Sequence, residues 1–377
     1  MPELTSRFDE PDIYIGIMSG TSLDGVDVAA VKINHTFEFI GAQCFPIPSQ
    51  LRSEILSLTQ PTDNEIDRLG VLDQQLGRLF AACTNTFISN SAINKAHIAA
   101  IGSHGQTIRH RPSLNFTLQI GDPNVIAEHT GITTVADFRR RDIACGGQGA
   151  PLVPAFHHNV FLNHSSDRVI VNIGGMSNIT LLYANDSKAL CGFDTGPGNV
   201  LLDSWINKHT GNMYDKNGEW AATGRHNQHL LDHWLKTPYF SEPPPKSTGR
   251  ELFNLAWIEQ GILDTGSKHL PAQDIQATLL ELTACTIAQA INSSDLTMPE
   301  VYLCGGGAHN ALLLARIKKH THAAKVSTTS DLHLEPDWVE AAAFAWLAHQ
   351  AIHQRTGNHP AVTGAEGHRI LGGIYQA

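Results

Sequence analysis

Ile13-Tyr14-Ile15-Gly16-Ile17-Met18-Ser19-Gly20-Thr21-Ser22-Leu23-Asp24-Gly25-Val26-Asp27 is an apolar run, a turn of small and hydroxylated residues, and the start of a second apolar run that continues to Ile33. Short apolar runs bounded by turn residues suit strands buried in a sheet. The stretch therefore reads as a β-hairpin, with Phe37 to Phe45 as a third strand. A turn carrying Ser19, Gly20, Thr21 and Ser22 can wrap phosphate oxygens with N–H and O–H donors. Asp24 and Asp27 follow as oxygen ligands suited to magnesium. The plain alternative is a hairpin whose tight turn simply needs small residues.

The same order returns in the second half. Arg168 to Ile173 reads as a strand, Gly174-Gly175-Met176-Ser177 as a turn, Asn178 to Tyr183 as the returning strand and Leu190 to Phe193 as a third. Strand, small-residue turn, strand, strand and helix thus occur twice, a duplication of architecture with unlike residues. The second copy leads into Cys191-Gly192-Phe193-Asp194-Thr195-Gly196-Pro197-Gly198-Asn199, with a helix opening beyond it. Gly196 and Gly198 permit close backbone approach or positive φ, and Pro197 is tolerated at a helix start. An acid at a strand end beside helix-start N–H groups suits proton transfer near an anionic substrate. An Asp194 that only caps a turn is the competing reading.

Composition narrows the class. The 377 residues are 42% hydrophobic and 16% charged, enough for two globular domains with real cores. A formal net charge of -10 offers no basic surface to nucleic acid or anionic lipid. The six cysteines are scattered without a C-x-x-C pair, which fits reduced thiols and neither a zinc knuckle nor a disulfide framework. The 21 histidines are dispersed and lack metal-ligand spacing. Met1 to Pro11 carries acids and no apolar core, so it is not read as a signal peptide. The longest apolar run, Ala341 to Ala348, is too short to span a membrane. These features predict a soluble cytoplasmic protein.

Between and beyond the hairpins, Asn64 to Asn90 has helical spacing of apolar residues. Ile98 to Ile101 is expected to be a strand ending in Gly102-Ser103-His104-Gly105-Gln106-Thr107, where polar residues just past a strand end suit substrate binding. Leu114 to Ile120, ending in Gly121-Asp122-Pro123, is a further strand. Arg139-Arg140-Arg141 suggests a solvated turn, yet its glycine-rich neighbour Cys145 to Pro151 makes one arginine a candidate partner for carboxylate or phosphate. The boundary between halves is placed near Pro151 to His158, with domains 1–155 and 156–377 and the last helix packing back toward the first. Val301 to Cys304 leads into Gly305-Gly306-Gly307-Ala308-His309-Asn310, a strand-to-helix loop that a flat or phosphorylated ligand could approach. Asp337 and Glu340 have the spacing of a capping box, the structural alternative to a catalytic Glu340.

Two phosphate-type hairpins and a glycine-rich loop resemble the actin/hexokinase/Hsp70 ATPase superfamily. In finer detail, Gly16 to Asp27, Gly102 to Thr107, Gln119 to Pro123, Asp137 to Arg139, Gly149 to Pro154, Asn172 to Asn178, Phe193 to Asn199 and Glu340 to Ala345 are similar to the 1,6-anhydro-N-acetylmuramic acid kinase family. These motifs run from residue 13 to about residue 348; no match is claimed for the His-rich C-terminal tail or for Pro243 to Lys246. The resemblance implies an α/β, two-lobed fold of duplicated ribonuclease H-like topology with an interlobe cleft. It implies a homodimer that uses ATP, Mg²⁺ and water to convert 1,6-anhydro-N-acetylmuramic acid into N-acetylmuramic acid 6-phosphate in peptidoglycan recycling.

On that resemblance, O6 of the substrate is locked in the anhydro bridge and has no proton to lose. The base must act on a water that attacks the anomeric carbon, a role assigned to Asp194, with Glu340 holding the same water. Ser19 to Ser22, Asp24, Gly174, Gly175, Ser177, Asn178 and Gly196 would serve the ATP phosphates, and Gly305, Gly306, Gly307 and Asn310 the adenosine side. Magnesium would be held through the ATP phosphates, with Asp24 or Asp27 near it. His104, Gln106, Asp122, Arg139 and Gly149 are the sugar-side candidates, Arg139 for the lactyl carboxylate because a guanidinium fork matches it. For His104 a turn-stabilising imidazole is the plain alternative. A kinase for another sugar, a non-catalytic ATP-gated sensor and a histidine metalloenzyme remain as rivals.

Overall fold

The computed structural model describes residues 11–185 and 188–377. The stretch Met1 to Pro11, read above as no signal peptide, therefore lies outside the described residues, Pro11 excepted. The described chain divides into two compact units, one running to Phe156 and including Trp338–Ala377, the other His157–Asp337.

In the first unit β1 (Ile13–Ser19), β2 (Val26–Ile33) and β3 (Phe37–Phe45) form an antiparallel meander. β4 (Ile98–Arg111) lies parallel to β1; β5 (Phe116–Ile120) pairs antiparallel with β4, and β6 (Thr134–Ala136) parallel. The core order is β6-β4-β1-β2-β3, extended at β6 by the C-terminal strand Gly373–Tyr375. In the second unit β7 (Arg168–Ile173), β8 (Met176–Leu182) and β9 (Cys191–Pro197) repeat the meander, and β10 (Glu300–Cys304) and β11 (Lys325–Thr328) add in parallel. Its order is β11-β10-β7-β8-β9, the same five-strand path with the same senses. Continuous burial of Tyr14–Ser19, Val169–Val171 and Val301–Cys304 explains why these runs are central strands.

The second unit ends at Asp337 instead of running to the C-terminus. The cause is local packing in the first unit. A Cβ on Gly16 would stand 1.8 Å from the Ala341 carbonyl oxygen, and one on Gly102 would stand 2.0 Å from that of Phe344. Bare glycines on β1 and β4 thus let the alanine-rich helix Val339–Ile352 lie directly on the sheet. Any side chain there would push the two apart.

Three expectations are corrected. β4 does not stop at Ile101: Gly102 to Thr107 lies inside it, where the strand leaves β1 at Gln106 and takes up β5, with Gly105 at φ 74°. β9 does not stop at Phe193: Asp194 lies within the strand, opposite Asn178. The three arginines open no solvated turn but sit in the helix Phe138–Ile143, which points Arg139 inward and leaves Arg140 paired with Asp137. No helix among the described residues is long and apolar enough to cross a membrane, and none of the six cysteines forms a disulfide among the described residues.

Candidate active site

Arg139 is the centre of the first unit's polar cluster. Its Nε and Nη2 donate to His104 Nε2 at 3.2 and 3.0 Å, and its Nη1 donates to the Gly149 carbonyl at 2.8 Å. A guanidinium only donates, so His104 accepts at Nε2 and carries its proton on Nδ1. Burial, and then the arginine's charge, push the His104 imidazole down to about 3, so it stays neutral. Three of five guanidinium hydrogens are committed, leaving two for a ligand carboxylate. Glu340, in the first turn of the helix Val339–Ile352, and Asp142 act on Arg139 electrostatically.

Gly149 is held from below. Its N–H donates to Asp142 Oδ2 at 2.8 Å, while Asp142 Oδ1 accepts from Asn358 Nδ2 and Thr363 Oγ1, each at 2.8 Å. Gln148 N–H donates to the Thr363 carbonyl and Glu366 N–H to that of Cys145. The C-terminal tail therefore splints the glycine-rich loop that carries Arg139's acceptor.

Two other sugar-side candidates have their polar groups spent elsewhere. Gln106 is buried, accepting from Ser19 Oγ at 2.7 Å and donating to the Gly20 and Thr107 carbonyls. Ser19, equally buried, is thus a brace for the first hairpin. Asp122 caps the helix Pro123–Thr130, accepting from Asn124 N at 2.8 Å with its second oxygen on Gln74. Beyond Ser19 the hairpin tip is open: Thr21, Ser22 and Asp24 are exposed, and a Cβ on Gly20 would meet only Ser22 Oγ at 3.6 Å. Asp27 is the second residue of β2, opposite Met18.

The second hairpin has the same open tip, since a Cβ on Gly175 would find nothing within 4 Å and one on Gly174 only the Met176 carbonyl oxygen at 3.6 Å. Its base is latched. Gly198 N and Val200 N donate to the Gly175 carbonyl, and Asn199 N to that of Gly174. The Asn199 and Val200 N–H groups at the start of the helix Val200–Thr210 thus hold the hairpin. Ser177 is fully buried and its hydroxyl has no hydrogen-bond partner among the described residues. Gly196, at φ 141°, has the Phe240 ring where a Cβ would go.

Asp194 sits in β9 with its main chain and one carboxylate oxygen engaged. Its N–H donates to the Lys246 carbonyl at 3.1 Å, its carbonyl accepts from Tyr239 Oη at 2.7 Å, and Oδ2 accepts from Thr248 N at 3.0 Å. Oδ1 accepts no hydrogen bond among the described residues. Burial, opposed by the Thr248 bond and reinforced by the negative charge of Glu251, pushes the Asp194 carboxyl up to about 6. An acid titrating there is poised as a base near neutral pH. Turn-capping does not describe it, because the residue lies in a strand and holds no helix start.

The Gly305 loop closes on β7: Gly305 is at φ 76°, and a Cβ on it would stand 2.4 Å from Asn172 Oδ1. A Cβ on Gly307 would strike the Ile173 side chain, whereas one on Gly306 would meet only Asn199 Nδ2 at 3.9 Å. Only Gly306 of the three is open to a ligand. Asn310 is buried and caps the helix Ala311–His320, accepting from Leu313 N at 3.0 Å. The Asp337 carboxylate pairs with His309 Nε2 at 2.8 Å, and Trp338, at the N-cap of the following helix, makes no side-chain cap.

Among the described residues the ligand atoms of Glu281, Cys285 and His320 come within 4.8 Å of one another. Arg316 stands 2.9 Å from Glu281 and supplies the cation there, and burial pushes the Cys285 thiol up to about 11. The cluster reads as an ion-paired helix contact.

Sequence reasoning missed Tyr239, Lys246, Thr248 and Glu251, which enclose Asp194, and Asp142 with Asn358 and Thr363, which splint Gly149. No local pattern marks them, since each meets its partner across at least seven residues and most across more than forty.

Comparison with known proteins identifies the family. A family model described as anhydro-N-acetylmuramic acid kinase matches residues 12–377. Proteins of that name from Saccharophagus degradans and Pseudomonas fluorescens are 50% and 47% identical, covering 97% and 96% of this chain and 99% of each relative. One from Coxiella burnetii is 49% identical over 96% of this chain and 97% of its own length. Among solved structures, the activator of 2-hydroxyisocaproyl-CoA dehydratase from Clostridium difficile is similar at TM-score 0.44 and 10% identity, covering 91% of this chain and 96% of its own. The chain belongs to the anhydro-N-acetylmuramic acid kinase family.

Proposed function

We propose that this chain is an ATP-dependent kinase that opens the 1,6-anhydro bridge of 1,6-anhydro-N-acetylmuramic acid and phosphorylates O6. The observation that supports it most is the Asp194 carboxylate: enclosed, pushed up to about 6, with one oxygen held and the other uncommitted. Oδ1 takes a proton from water as the water oxygen bonds to C1 of the sugar. The C1–O6 bond breaks, and its electron pair leaves on O6. O6 attacks the γ-phosphorus, the bond to the β-phosphate oxygen breaks, and ADP departs. The products are N-acetylmuramic acid 6-phosphate, ADP and the proton held by Asp194.

Phosphoryl transfer asks mainly for positioning and charge stabilisation. The open tips at Gly20 to Ser22 and Gly174-Gly175 offer backbone and hydroxyl donors for phosphate oxygens, and Gly306 the accessible backbone on the adenosine side. Asp24, exposed in its turn, or Asp27 would be the carboxylate that meets Mg²⁺ carried on ATP. The ion would neutralise charge on the transferring group. Arg139, with two uncommitted hydrogens and a neutral His104 fixing its plane, would take the lactyl carboxylate. Glu340 would keep that guanidinium oriented. The enzyme would act in the cytoplasm as a homodimer, which light scattering of the purified protein checks.

Reaction in ¹⁸O-labelled water is the test. Label at the anomeric hydroxyl, with phosphate on O6 and one ADP per sugar, is the expected result. Unlabelled product, or faster turnover of free N-acetylmuramic acid or a common hexose, overturns the reading.

A further inference from the structure

The polypeptide from Tyr239 to Glu251 was unremarkable in the sequence beyond its prolines, yet it meets Asp194 at three of its four polar atoms. Lys246 O takes the Asp194 N–H, Tyr239 Oη donates to its carbonyl, and Thr248 N donates to Oδ2. The segment is also tied to itself: Lys246 Nζ donates to the Tyr239 and Phe240 carbonyls at 3.0 and 3.3 Å. Leu252 N and Phe253 N both donate to the Gly249 carbonyl. The Glu251 carboxylate folds back over this turn, with Oε2 2.3 Å from where a Gly249 Cβ would be.

We propose that Thr248 and Glu251 are opposed positioning residues for the base, the Thr248 main-chain N–H holding Oδ2 so that Oδ1 is left for water, and the Glu251 carboxylate set over the adjoining Gly249 turn. This rests on the reading of Asp194 as the base. Two physical facts carry it. A lone N–H donor on one oxygen of a buried carboxylate fixes the plane of the group and favours its ionised form. A like charge held nearby has the opposite effect on ionisation. The titratable groups of this segment that act on Asp194 are Glu251 and Tyr239, while Lys246 meets it through its main-chain carbonyl; Glu242 acts on Tyr239 and Lys246. Lys246 spends its ammonium on carbonyls of the segment, so it braces the strap while Thr248 and Glu251 act on the carboxylate.

The experiment is the pH profile of kcat/KM for the full chain, read as the midpoint of its acidic limb, with circular dichroism as a folding control. In Glu251→Gln the limb is expected to move to lower pH. In Thr248→Pro, which deletes the N–H, it is expected to move to higher pH, so activity lost near neutrality returns in alkali. Thr248→Ala keeps the N–H and leaves the midpoint where the wild type has it. A uniform fall in rate with no movement of the limb in Glu251→Gln and Thr248→Pro overturns the proposal. Should Thr248→Pro not fold, Glu251→Gln decides alone, since its side chain is exposed and its removal asks nothing of the backbone. Asp194→Asn separates the two failures. If that variant stays active, the reading of the base fails; if it is inactive while the limb ignores Thr248 and Glu251, only the positioning proposal fails.

Discussion

Asp142 and Asp194 are the same side chain enclosed by protein in two different units, and they are satisfied in opposite ways. Asp142, with no exposed surface, receives Asn358, Thr363 and Gly149 on its two oxygens. Asp194 receives Thr248 alone, on one oxygen, and carries a carboxyl pushed up to about 6. Three donors make a buried acid a fastener; one donor leaves it short of compensation and therefore reactive. The difference is in the neighbours, and burial alone does not distinguish structure from chemistry.

The sharpest way to break the comparison is to neutralise each acid. Asp194→Asn should fold, bind ATP, and lose bridge opening and phosphorylation together by about 10²–10⁴-fold. ADP release and sugar analysis from the same reaction measure it, and loss of one step without the other separates them. Asp142→Ala should instead unfold more readily, by about 3–4 kcal/mol in denaturant titration, because three buried donors lose their acceptor.

Next comes stability against pH. With Asp194 near 3.8 unfolded and about 6 folded, both states are protonated below pH 3.8 and the residue contributes nothing. As pH rises through that window the unfolded state ionises first, so the native state loses stability, and the whole penalty is in place above pH 6. Asp194→Asn should therefore be more stable than wild type at pH 7 by up to about 3 kcal/mol, a gain that vanishes toward pH 4. Thermal melts of both proteins across that range check it. An inactive yet stabilised variant would mark Asp194 as kept for chemistry.

The smallest effect expected is at Arg139, which touches both Gly149 and His104. Arg139→Ala should raise KM for the anhydro sugar about tenfold or more and leave ATP affinity nearly unchanged. Equal losses for both ligands would remove it from the sugar side.

Much of this was legible in the residues. Both hairpins and the strand bounds of Val26–Ile33, Phe37–Phe45 and Arg168–Ile173 follow from apolar runs and small-residue turns, while Asp194 and Arg139 were singled out by motif likeness. The failures share one cause. β4 and β9 outrun their apolar signal because the ladder continues through polar and glycine residues once a partner strand is present. Ser19, Gln106, Asp122 and Asn310 looked like ligand contacts because their types fit, but their hydrogen bonds are made within the fold.

Sequence alone determined the local architecture and its duplication, since side-chain period and turn chemistry act between near neighbours. Tertiary structure alone decided which carboxylate is fastened and which is left poised. Those outcomes depend on donors brought in from up to 221 residues away, as Thr363 is to Asp142, and on dielectric surroundings that no short stretch of chain encodes.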